Sequence, residues 1–259
     1  MKHLTVFLCT NLNNVMKRIS YLMWCILLTN VAWSQDLHVD SGASITTASG
    51  SVLFVGSNTS IDAAASLTTT SDATASGSFI VSGTTTGNIT YKRYIEDINW
   101  HLVSAPVTSQ SIPSFVGVAG NAVAISTTTG SSAVSYYKNT NAAGKRWTYH
   151  HADPDSEKEN QETLTNFIAG QGYSMKKTAI GDYTFTGAMA NADVTIPITT
   201  TTGDHLWCAI GNPFPSFLPL NNAANAENIL ADNIAKLDVN FANLYVWNES
   251  SSQYDAIGL

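Results

Sequence analysis

Charge is what this sequence has least of. Only 12% of its 259 residues are Asp, Glu, Lys or Arg, about half the usual share. That shortage excludes helical bundles and coiled coils, whose exposed faces need Glu and Lys. Basic charge is scarcer still: 12 Lys and Arg against 19 Asp and Glu give a net of −7, so a phosphate backbone would be repelled and a nucleic-acid partner is excluded. Between Asp36 and Tyr91 there is no Lys or Arg at all. Catalytic signatures are also missing: no Gly-x-Ser-x-Gly elbow, no His-Glu-x-x-His, no phosphate-cradling loop and no Cys pair for zinc. No catalytic residue and no cofactor are therefore assigned, and no enzymatic activity is expected. A split carboxylate pair for glycoside hydrolysis stays open, because its partners can lie far apart in a chain.

What is abundant is Ser (27) and Thr (30), with Gly and Asn, a mixture that favours short strands and turns and predicts an all-β chain. At the start, Lys17 and Arg18 precede an apolar run from Ile19 to Val31 and then Ala32-Trp33-Ser34. This pattern reads as a secretory signal over 1–34, with cleavage between Ser34 and Gln35 and Met16 as an alternative start. A membrane anchor is the competing reading, but the run is shorter than the roughly 20 apolar residues a span needs, so the mature chain is expected to carry no transmembrane span. A lipoprotein fits less well, because Trp24 before Cys25 is too bulky for that modification site. Removing 1–34 takes away Lys2, Lys17 and Arg18 and no acid, so the net charge falls by three to −10. Cys9 and Cys25 leave as well, and Cys208 alone excludes an intramolecular disulfide. His205 is near it in sequence, but Trp207-Cys208-Ala209-Ile210 reads as a buried strand, so the thiol is expected to be core.

The mature chain divides into three regions. Residues 35–91 carry small apolar islands at Leu37/Val39, Ile45, Leu53/Val55, Ile61, Leu67, Phe79/Val81 and Ile89, mostly about eight residues apart. Strands this short cannot stand alone but can stack as rungs, which predicts a short β-solenoid-like segment; a disordered Ser/Thr linker would lack the aliphatics. From Lys92, longer period-two runs follow (100–103, 133–137, 146–149, 183–185), separated by turns at 141–144, 170–172, 180–182 and 201–204. This spacing predicts a β-sandwich-like unit over 92–203 and a second, incomplete unit over 204–259. One helix is expected around 223–237, with Leu230, Ile234 and Leu237 on one face.

The two units are joined by an internal repeat. Asp97-Ile98-Asn99-Trp100 with Pro106 six residues after the Trp matches Asp204-His205-Leu206-Trp207 with Pro213, and Pro-Ser-Phe follows at 113–115 and 215–217. Tyr136 to Asn139 then Trp147 matches Tyr245 to Asn248 then Tyr254. The first copy leads into Gly170-Gln171-Gly172-Tyr173; the second should reach its own Gly-x-Gly-aromatic step near position 280, so a fragment cut within the repeat, or a naturally incomplete unit, is expected.

The residues from Gly87 to Ile95 leading into Trp100-His101-Leu102-Val103-Ser104-Ala105-Pro106, the turn Gly211-Asn212-Pro213-Phe214-Pro215-Ser216, and Gly170-Gln171-Gly172-Tyr173 together resemble exported surface proteins of the type IX secretion system in gliding and related Gram-negative bacteria. The likeness covers about 35–259. It implies an extracellular or cell-surface location in a Gram-negative bacterium, adhesive or uncharacterised roles, export and outer-membrane secretion machinery as partners, and a C-terminal sorting domain that this sequence lacks. A surface polysaccharide or another cell is the implied adhesive partner.

Three candidate sites are singled out. Trp147 and Tyr149 share one face of a strand; exposed, they could stack on sugar rings, and buried, they would be core, which a sandwich favours. Asp153, Asp155 and Glu157 alternate as oxygen ligands would for Ca²⁺, but Lys158 and Leu164 stand where an EF-hand needs Gly and Glu, so a solvated acidic loop is expected. Gly211, Asn212, Pro213 and Pro215 are expected to be a structural turn, since Asn-Pro starts turns and each Pro fixes φ. The chain is read as a non-enzymatic surface or adhesion protein; the alternative is an accessory carbohydrate-binding region of a secreted polysaccharide-degrading enzyme.

Overall fold

The computed structural model describes residues 35–158, 160–198, 207–221, 228–248, 251 and 253–258. The chain divides into two compact units, Met1–Gln35 and Asp36–Leu259. The leader and Ser34 lie outside the described residues, as do the turn expected at 201–204 and Asp204-His205-Leu206 of the second repeat copy. The described residues of the second unit are all-β apart from short helices.

Its first part is three coils of a parallel solenoid. Coil one is β1 (Leu37–Val39), β2 (Ser44–Thr47) and β3 (Val52–Val55); coil two is β4 (Thr59–Ile61), β5 (Ser66–Thr70) and β6 (Ser78–Val81); coil three is β7 (Thr85–Thr86) and β8 (Asn88–Ile95). Equivalent strands pair parallel and in register: Val39 over Ile61, Ile45 over Leu67, Leu53 over Phe79. The apolar islands of the sequence are thereby stacked into columns, and Val39, Val55, Ile61, Leu67, Phe79 and Ile89 are all buried. Thr47, Thr59, Thr69, Thr85 and Ser78 are buried beside them. Their β-carbons and methyls fill the lumen, at the cost of hydroxyls on Thr47, Thr59, Thr69 and Ser78 that have no partner among the described residues. At the third coil Gly87 takes φ +84°, and a Cβ there would stand 2.2 Å from the Ile61 carbonyl oxygen; the corner closes only on glycine.

Strand β8 carries the solenoid into the next part. One edge continues the parallel ladder from β5, with Thr68 opposite Thr90; the other pairs antiparallel over eight residues with β14 (Gly181–Ala188). The position between 91 and 92 falls inside this strand. A five-stranded sheet follows, in the order β12 (Gln161–Glu162), β11 (Trp147–His150), β10 (Val134–Tyr137), β13 (Tyr173–Lys176), β9 (Trp100–Val103). Between it and β14 lies an aromatic core. Phe115 stacks on Phe185 at 4.8 Å and meets Phe167 edge-on at 5.1 Å, and Phe167 meets Tyr173 at 4.9 Å. The buried apolar residues other than Leu230 form one cluster running from Val39 of the first coil to Met189, so solenoid and sandwich-like part share a core.

Phe115 is delivered by a helix the periodicity does not announce, α1 (Ile112–Gly117), whose Ser111 side chain accepts from the Ser114 N–H and whose first turn holds Pro113. Fully buried, Phe115 contributes a side chain whose truncation to Ala costs about 3–5 kcal/mol.

Two sequence expectations need correction here. Residues 207–209 form no strand: Ile210 makes a single bridge to Gln171, and the pairing cannot run back to Cys208 because Tyr173, which would face it, is already paired on both sides, with Tyr136 and with Val103. Trp207 and Ile210 are exposed and Cys208 is half-buried, with burial pushing its thiol pKa up. The helix expected over 223–237 is observed only as α2 (Ile229–Asn233), capped by the Asn228 side chain, and a 3₁₀ turn at Ile234–Lys236. Leu230 is buried, whereas Ile234 is exposed; residues 222–227 lie outside the described set.

The repeat copies fold alike in one part and differently in another. Strands β10 and β11 form an antiparallel hairpin with Tyr137 opposite Trp147, and β15 (Leu244–Asn248) and β16 (Gln253–Ile257) form another with Trp247 opposite Tyr254. Both opposed pairs touch edge-on, at 5.4 and 5.1 Å. Pro113-Ser114-Phe115 is helical with Phe115 buried, but Pro215-Ser216-Phe217 is a bend with Phe217 exposed.

Candidate functional site

The five-stranded sheet has an inner face closed by the aromatic core and an outer face that register makes legible. Pairings of Leu102 with Ser174, Ser174 with Ser135, and Ser135 with Tyr149 put these side chains on one surface, with Trp100, Tyr137, Trp147 and Lys176 two residues away along their strands. This is the face opposite Val103, Val134, Tyr173 and Met175, all buried.

On that outer face the aromatics form two edge-on pairs. Trp100 meets Tyr149 at 5.9 Å, and Tyr137 meets Trp147 at 5.4 Å. Trp100 and Tyr149 sit on strands three apart in the sheet; the strands between carry Ser135 and Ser174 at the level of Tyr149, and Trp100 stands two residues along, opposite Lys176. Small residues there let the two rings reach one another, and Ser135 is fully buried. Trp100 and Leu102 are 40% and 46% exposed, while Tyr137, Trp147 and Tyr149 are half-buried. Trp147 and Tyr149 therefore do share one face, and each is partly open to solvent. Burial raises the Tyr149 pKa, so its hydroxyl is a neutral hydrogen-bonding group at neutral pH.

Beside Leu102 the surface drops into a groove of about 870 Å³. Its lining includes Arg93, His101, Leu102, Phe217, Tyr245 and Trp247. His101 Nε2 lies 2.9 Å from Asp97 Oδ1, and the Asp97 carboxyl is held below its usual range first by the Asn99 N–H and then by His101. At the groove wall, Asp72 closes the β5–β6 turn. Hydrogen bonds from Ser49, Thr74 and the N–H of Ala75 keep it far below the ordinary carboxylate range. The groove thus offers aromatic faces together with a guanidinium, an imidazole and the fixed carboxylate of Asp72, a combination suited to polyhydroxylated ligands.

The other singled-out residues fall elsewhere. Asp155 Oδ1 accepts from the Glu157 N–H at 3.0 Å and its Oδ2 lies 3.4 Å from Lys158 Nζ. Those bonds, the N–H first, lower its pKa. Asp153 and Glu157 are exposed. Among the described residues the triad whose ligand atoms lie within 4.8 Å of one another is His38, Asp40 and Asp62.

The Gly211-Asn212-Pro213-Phe214-Pro215 turn joins three parts of the fold. The Gly211 N–H donates to the Gly170 carbonyl at 2.8 Å, the Ser104 hydroxyl donates to the Asn212 carbonyl at 2.7 Å, and the Phe79 N–H donates to the Pro215 carbonyl at 2.7 Å. The last bond caps an open position on β6, which among the described residues pairs in its sheet with β3. The Asn212 side chain closes the turn by accepting from Phe214 N–H at 2.9 Å. Sequence reading assigned this turn and the Gly170-Gln171-Gly172 step separately; that they bond to one another is tertiary information.

Among the described residues no helix is long and apolar enough to cross a membrane. The family profile described as "Domain of unknown function (DUF8693)" matches residues 9–257. No curated protein and no solved structure gives a match.

Proposed function

The chain belongs to the family described as a domain of unknown function (DUF8693), and within it we propose an exported cell-surface or extracellular protein that makes adhesive contacts and performs no catalysis of its own. In this reading the leader over 1–34 directs export and outer-membrane secretion machinery of the type IX kind carries the chain outward. The three-coil solenoid is a spacer, and the sheet fused to it through β8 presents the contact surface. The observation that carries the proposal is the outer face of that sheet, where Trp100, Tyr137, Trp147 and Tyr149 are held in two edge-on pairs on rigid strands. Aromatic planes of this kind stack on sugar rings with little entropic cost, because the rings are already fixed.

The test is a deletion strain. Cells lacking the gene should attach less to surfaces and to each other, and a protease added to intact parent cells should cleave the protein; attachment equal to the parent, or full protection from protease, overturns the reading. The same aromatic face supports a second reading, an accessory carbohydrate-binding region of a secreted polysaccharide-degrading enzyme. A deletion strain that attaches normally but grows poorly on one polysaccharide would favour it.

A further inference from the structure

The corner after the first strand of the solenoid holds a cluster that the adhesive reading does not use. Strands β1 and β4 pair parallel with His38 opposite Ser60 and Val39 opposite Ile61. Carried one residue further, this register sets Asp40 against Asp62, one carboxylate on each of two adjacent coils. His38 lies between them. Its Nε2 is 3.1 Å from Asp40 Oδ1 and 3.8 Å from Asp62 Oδ1, and the ligand atoms of all three residues lie within 4.8 Å of one another.

We propose that His38, Asp40 and Asp62 form a binding site for a divalent cation of the zinc type, which clamps the first coil onto the second. Three features argue for a cation there. First, the repeat forces two like charges together, a repulsive arrangement, and no Lys or Arg occurs between 36 and 91 to offset it. Second, two ligands are oriented from outside the cluster. The far ring nitrogen of His38, Nδ1, is hydrogen-bonded to the Ser60 hydroxyl, and the far oxygen of Asp62, Oδ2, accepts from the Ser41 N–H at 3.0 Å. This leaves Nε2 and Oδ1 facing the shared point, and outer hydrogen bonds of this kind fix tautomer and direction in metal sites. Third, one imidazole nitrogen and two carboxylate oxygens with solvent access are a donor set for zinc with water in the remaining position, whereas Ca²⁺ takes oxygen ligands only. The ligands come from both coils, so binding opposes separation of the two and raises stability by mass action.

Calorimetric titration of the chelator-stripped full chain with Zn²⁺ at neutral pH tests this. The expected result is one saturable equivalent, affinity at least tenfold weaker in His38→Ala and in Asp62→Asn, and affinity unchanged in the acidic-loop variant Glu157→Gln. All three positions are exposed, so the variants should fold, and their metal-free melting curves check that. A second reading needs no variant: in the proton spectrum of the parent protein, Zn²⁺ should shift the ring signals of His38 and leave those of His101 and His150 in place. No saturable binding, equal affinity in parent and His38→Ala, or shifts spread over several histidines would each overturn the proposal.

Discussion

Replacing Gly211 by Ala should loosen the junction between solenoid and sheet. A Cβ built on Gly211 falls 2.3 Å from the Cβ of Ser104 and 2.7 Å from its hydroxyl, distances no packed side chain tolerates. Either Ser104 swings away, losing its bond to the Asn212 carbonyl, or the turn backs off and strains the Gly211–Gly170 bond. Overpacking of one methyl costs about 1–3 kcal/mol and one lost hydrogen bond about 1 kcal/mol. The sum, about 2–4 kcal/mol, corresponds to a Tm lower by roughly 5–15 °C in a unit of this size. Urea denaturation followed by tryptophan fluorescence measures it. A double-mutant cycle with Ser104→Gly, which removes both clashing atoms, isolates the contact. In that background Gly211→Ala should cost at least ~1.5 kcal/mol less than in the parent, the coupling expected of touching residues. A loss of the same size in both backgrounds, or no loss in the parent, would refute the clash and with it the account of why glycine opens this turn.

Two further outcomes follow from buried titratable groups. Lys177 is 1% exposed. Its ammonium donates to the carbonyls of Asn121 at 2.6 Å and Asp182 at 2.8 Å and lies 4.3 Å over the Tyr183 ring, while burial pushes its pKa down. Lys177→Met keeps the volume but leaves both carbonyls without that donor, so chemical denaturation should show a loss of about 2–4 kcal/mol. His150 is buried and accepts the Leu164 N–H on Nδ1, and burial, then the neighbouring His151, lowers its pKa below the ordinary 6.5. Between that lowered value and 6.5 the unfolded chain binds more protons than the folded one, so stability falls as pH drops through this window. Melting curves at pH 7.5 and 5.5 should show the fall, and His150→Gln should reduce it.

How far the sequence reaches can be judged residue by residue. The apolar islands of the solenoid were legible because Val39, Ile61, Leu67, Phe79 and Ile89 stand out from Ser and Thr. Its coil length was not. Equivalent strands recur every 22 residues from β2 to β5, but the Asp72–Ala75 turn adds four before β6, and the core columns include Thr47, Thr59 and Thr69, which read as polar. In the sheet, the alternation of Trp147 and Tyr149 shows that they share a face. Which face, and that Trp100 completes it, depends on β9 pairing with β13 some seventy residues downstream, a fact no local pattern carries. Helix α1 is too short for a helical period to register, and only Ser111 and Pro113 mark its start. The repeat matched residues that the structure places on two hairpins, β10–β11 and β15–β16. It could not announce that Pro-Ser-Phe is helical in one copy and bent in the other, because the buried partners of Phe115 come from β14 and from the loop carrying Phe167.

The most direct test of the adhesive account is retention of the protein on a panel of insoluble polysaccharides, comparing the parent with Trp100→Ala/Tyr149→Ala. Both side chains are partly exposed on the outer face, so the double variant should melt within a few degrees of the parent. The account predicts that at least one polysaccharide retains the parent and holds the variant at least tenfold more weakly. Retention of neither protein on any polysaccharide, or equal retention of both, would contradict it.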